Sequence, residues 1–156
     1  MGIFANSNDW ITGAKPTRQP SGPEVCSQRF TLALGTADLD SGDLGQVGWL
    51  PAGCLPVDVH VDGTDMDSST AALVFTVGLL DTAGTDLSSA AADGGGVWGT
   101  TTASATAFHQ RMTPTLKNML SVTKSDVDRK LALKVTTPPT TAVAGTVGVT
   151  LFYRAA

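Results

Sequence analysis

Charge is scarce in this chain: 15% of its 156 residues are charged, against about 25% in ordinary soluble domains. Basic residues are the scarcer sign, ten Lys and Arg against fourteen Asp and Glu, for a formal net charge of −4. Phosphate neutralisation needs clustered Lys and Arg. The nearest approach to a cluster, Lys124 with Arg129 and Lys130, is interrupted by Asp126 and Asp128, so nucleic acid is excluded as the main ligand. Long apolar runs are missing too. No stretch approaches the roughly 20 residues that span a bilayer, and the opening MGIFANSNDW has neither the basic nor the apolar region of a secretory signal. Ser7 stands one place too late for a myristoylation motif starting at Gly2. No membrane partner is expected.

Catalytic equipment is equally thin. There are two histidines and two cysteines. Cys26 and Cys54 each stand near the start of an alternating run; a cross-strand disulfide is conceivable, but buried thiols acting as small hydrophobes are the expected state. Asp58, His60 and Asp62 share the polar side of one alternating run and read as a solvated face. His109 has Ser104 and Arg111 near it only in sequence. Asp38, Asp40 and Asp43 fail the calcium-loop order, because Gly42 precedes Asp43 and Trp49 holds the twelfth place. Asp62, Asp65 and Asp67 do no better. The glycine-rich stretch Asp93–Gly99 lacks the Gly-Lys-Ser/Thr of a phosphate loop. No catalytic residue, cofactor or metal site is expected, and the chain does not read as an enzyme.

What is present is period two. Phe30, Leu32 and Leu34 alternate with small residues, and Val57, Val59 and Val61 with Asp58, His60 and Asp62. Leu131, Leu133 and Val135 follow the same rule, as do Val147, Val149, Leu151 and Tyr153. Successive side chains of a strand point to opposite faces, so each run predicts a strand with one face inward. The strands expected are 25–36, 54–62, 71–81, 129–137 and 143–154, with weaker ones at 46–50 and 116–123. The dense run Leu73–Leu80 reads as a central strand buried on both faces. Asp/Ser/Gly links and the Pro51-Ala52-Gly53 turn separate them. Residues 86–115 form one long excursion, in which Asp86 as N-cap and Gly94–Gly96 as terminator suggest a short helix. The fold class expected is all-β: a jelly-roll-like antiparallel β-sandwich in one domain, residues 25–156.

Residues 1–24 form an extended N-terminal arm in which Pro16, Pro20 and Pro23 favour open backbone. Ile3, Phe4, Trp10 and Ile11 are too apolar for a tail left in water, so the arm docks either on a neighbour, the preferred reading, or over its own domain. Aromatic residues dominate contact energies, which adds Trp98 and Phe108 of the long excursion to the expected partner-binding set. Trp49, beside Val47 and Leu50, is the expected core tryptophan.

Four segments together carry a resemblance: RFTLAL at 29–34, LPAGCLPVDV at 50–59, LVFTVGLLD at 73–81 and GTVGVTLFYR at 145–154. Over about residues 25–155 the chain resembles small structural proteins of tailed bacteriophages. The resemblance implies a capsid decoration (cement) protein on the virion's outer surface, made in the host cytoplasm. It would bind the major capsid protein and form a homo-oligomer, dimer or trimer. A tail or baseplate component, or a glycan-binding sandwich using Trp98 and the 86–115 loop, are the alternatives.

Overall fold

The computed structural model describes residues 2–112 and 116–156. Among these residues eight strands carry the fold: β1 (Val25–Leu34), β2 (Leu44–Leu50), β3 (Cys54–Gly63), β4 (Val74–Leu79), β5 (Gly99–Thr100), β6 (Phe108–Arg111), β7 (Arg129–Thr137) and β8 (Gly145–Ala155). They pair antiparallel in two four-stranded sheets, ordered β1-β8-β3-β6 and β2-β7-β4-β5. That order, with the chain crossing repeatedly between sheets, is the eight-stranded jelly roll. The expected fold class is the one found.

Alternation explains the core. Phe30, Leu32 and Leu34 of β1, Val59 and Val61 of β3, and Val147, Val149, Leu151 and Tyr153 of β8 are all at most 2% exposed. They face Phe75, Val77 and Leu79 of β4 and Leu131, Leu133 and Val135 of β7 across the sandwich. Burying a large aliphatic or aromatic side chain contributes about 1.5–3 kcal/mol, so this doubled row dominates the stability. β3 breaks its period at a bulge between Pro56 and Asp58, which takes Val57 out of the row. β2 carries a second bulge between Gln46 and Gly48. There a side chain at Gly48 would run into the ring of fully buried Phe30, and one at Gly45 into Phe4, so glycine lets both rings close on the backbone.

β4 lies inside its sheet and is buried on both faces, as its apolar density predicts. The cover on its outer side is the long excursion: Leu87 and Val97 pack with Leu44, Leu80 and Ala132 in a second, smaller apolar cluster. The excursion is more ordered than its composition suggests, since it also supplies β5 and β6. Its short helical turn lies at Ala91–Asp93, capped by Ala90 and Gly94 rather than by Asp86. The Asp86 carboxylate instead accepts from Lys134 Nζ and the Leu87 amide. Residues 113–115, the end of the excursion, lie outside the described set. The strand expected over 116–123 is a single helical turn, α1 (Leu116–Leu120), followed by a loop. No helix among the described residues is long and apolar enough to cross a membrane.

Candidate functional site

The N-terminal arm lies along its own sandwich. β1 and β2 are the outermost strands of their sheets, one in each, and the arm runs over the seam between them. Phe4 donates its amide to Leu44 O at 3.0 Å, and Leu44 returns a bond to Gly2 O at 2.9 Å. Asn8 is the rivet. Its Nδ2 donates to Thr31 O on β1 at 3.0 Å and to Val47 O on β2 at 2.9 Å, while its Oδ1 accepts the amides of Trp10 and Ile11. The Trp10 ring meets Phe30 edge-on, with centroids 5.6 Å apart, and Trp49 Nε1 donates to Trp10 O. Farther along, Tyr153 donates its hydroxyl to Arg18 O. Docking over the arm's own domain is therefore what the single chain shows. A groove of about 390 Å³ opens where the arm leaves the seam, lined by Trp10, Trp49, Lys15, Pro51 and Asp128 among others.

The polar side of β3 forms a second cluster, with β6 as its neighbour. His60 Nδ1 stands 3.3 Å from His109 Nε2. Asp58 accepts from Arg111 Nε at 2.7 Å and faces His60 Nε2 at 3.6 Å. Asp62 is drawn away by Arg29, so the three polar residues of β3 do not act as one trio. Phe152 of β8 backs the His60 ring, centroids 5.2 Å apart. Ser104 Oγ donates to Thr106 O and makes no described contact with either histidine. Among the described residues no three His, Cys, Asp or Glu side chains converge.

The thiols are free and buried. Burial pushes both Cys26 and Cys54 above the ordinary thiol pKa, which leaves them poor nucleophiles. Two of the three aspartates at 38–43 are turn staples rather than ion ligands. Asp38 accepts the Gly35 and Ala5 amides, and Asp43 the amides of Gly2 and Asp40.

Two solved structures match end to end. One, from the capsid of Ralstonia phage GP4, is 24% identical with a TM-score of 0.73, covering 95% of this chain and 96% of that one. The other, from the cyanophage Pam1 capsid asymmetric unit, is 19% identical with a TM-score of 0.57, covering 91% and 92%. This chain shares their fold. No protein-family model and no curated protein sequence matches it.

On this jelly roll the six residues expected to bind a partner separate. Ile3 is 72% exposed on the arm, and Trp10 and Ile11 stay half-buried at the groove. Phe4 is 7% exposed, pressed on Gly45, and Phe108 is half-buried beside Phe75. Trp98 is the correction: it is wholly inside the core, its Nε1 donating to Asp93 O, and so has no surface to offer. Trp49, expected in the core, is half-buried at the groove instead. The two tryptophans exchange roles because the excursion folds back to pair Trp98 with Val77, a long-range contact invisible in local pattern. The pairing of His109 with His60 was hidden for the same reason; the one local hint is that both histidines occupy polar positions of their strands.

Proposed function

We propose that this chain is a virion structural protein that binds the outside of a phage capsid and bridges neighbouring major capsid protein subunits, stabilising the shell. The observation that carries the reading is the end-to-end likeness to a chain from the Ralstonia phage GP4 capsid, over 95% of one chain and 96% of the other. The low charge and the unpaired edges at β5 and β6 support it, since sheet edges offer main-chain pairing to neighbours. A protein that binds only the assembled shell shifts the equilibrium toward assembly, and many copies multiply a weak interface by avidity. Ile3, Trp10 and Ile11 are the contact residues of this reading, with self-association in a dimer or trimer.

The test is co-sedimentation of the purified protein with shells of its phage that lack it, with thermal release of DNA as a second readout. Saturable binding at hundreds of copies, with a higher release temperature, is expected. Ile3→Asp, a change at an exposed position, should weaken it at least tenfold. A copy number of a few to dozens, localised at the tail or a vertex, would replace the capsid reading with a tail component.

A further inference from the structure

We propose that His60 and His109 form a binding site for one divalent transition ion of the zinc, nickel and copper class. Imidazole nitrogens suit these ions, and bind them at about 2.0–2.1 Å. Two ligands on one tetrahedral ion then stand about 3.3–3.4 Å apart. His60 Nδ1 and His109 Nε2 are 3.3 Å apart, the separation that two nitrogens ligating one such ion would have.

The surroundings fit a site and not merely a pair. A metal-binding histidine is commonly oriented by a carboxylate beside its other ring nitrogen, which fixes the tautomer and raises ligand basicity. Asp58 faces that nitrogen, His60 Nε2, at 3.6 Å, an electrostatic contact longer than a hydrogen bond, and is itself fixed by Arg111 Nε at 2.7 Å. With the proton on Nε2 toward Asp58, the His60 lone pair lies at Nδ1, facing His109. Phe152 supports the His60 ring from β8. The other charges on this face, Arg29 and Asp62, neutralise each other, and Asp58 offsets Arg111, so no uncompensated cation opposes a metal. Without metal the two rings share a hydrogen bond, one donating and one accepting. With metal, His109 moves its proton to Nδ1, and water fills the remaining coordination positions. The ion would tie the edge strand β6 to β3.

Calorimetric titration of the full-length, tag-free protein with Zn²⁺ and separately with Ni²⁺ tests this. One ion per chain is expected. His109→Gln, at an exposed edge position, should raise the dissociation constant at least tenfold while the circular dichroism spectrum is unchanged. Asp58→Asn should weaken binding about tenfold through loss of the orienting carboxylate. His60→Gln should behave as His109→Gln does. Absence of saturable uptake at millimolar ion, or unchanged affinity in His109→Gln, overturns the site. Neither outcome touches the shell-binding reading, whose test contains no metal.

Discussion

At the scale of single residues, buried aspartates hold the turns that the apolar core cannot. Asp67 is fully buried, yet its carboxylate joins two distant loops by accepting the amides of Ala72, Thr140 and Thr141 at 3.1 Å each. Burial on its own would push its pKa up; the backbone N–H bonds outweigh that and hold it below the ordinary aspartate range. A carboxyl group whose folded pKa is depressed contributes stability that is complete above its unfolded pKa, near pH 4, and is lost as pH falls through the folded value. Asp67→Asn keeps one acceptor oxygen and loses the charge. Leaving a buried donor unpaired costs about 1–3 kcal/mol, so the variant should melt lower at pH 7. Its melting temperature should also fall less steeply than the parent's between about pH 4 and pH 2. Thermal melts across that range measure both quantities, and parallel curves for the two proteins would refute the role given to the charge.

At the scale of elements, the legible parts are those where local pattern and tertiary demand coincide. β1, β3, β7 and β8 alternate because one face meets the opposite sheet, and Leu73–Leu80 is dense because Leu87 and Val97 cover its far side. β5 and β6 were not legible: β5 is two residues long, and β6 has charged and polar residues on an exposed edge. Residues 116–123 look like a strand by composition but form one helical turn and a loop. The arm's own-domain seat depends on Asn8, whose importance no periodicity reveals. Asn8→Ala removes four hydrogen bonds at once, at roughly 1 kcal/mol each, and releases the seam. The expected outcome is a melting temperature lowered by several degrees and faster tryptic cleavage after exposed Arg18. Unchanged cleavage would mean that the remaining ties, at Gly2, Phe4, Trp10 and Arg18, suffice to hold the arm.

At the scale of the whole molecule, the question is whether arm and sandwich unfold together. Cys26 on β1 and Cys54 on β3 flank β8 and are each 2% exposed. Arm residues and their neighbours close over both: Glu24 Oε1 lies 3.6 Å from Cys26 Sγ, and Gln19 Oε1 lies 3.8 Å from Cys54 Sγ. If the arm opened on its own, the thiols would become reachable while both sheets stayed intact. The ties at Asn8, Tyr153 and Leu44 span both sheets, which argues instead for one cooperative unit of the kind small single domains form. A chromogenic disulfide reagent should therefore modify both thiols at one slow rate in native buffer. That rate should rise with denaturant along the slope of global unfolding. In Asn8→Ala, a faster reaction with little denaturant dependence should appear, because the arm then opens before the sandwich does. A fast, denaturant-independent reaction in the parent protein would show that the arm is a separate unit, free to leave its seat while the jelly roll stays folded.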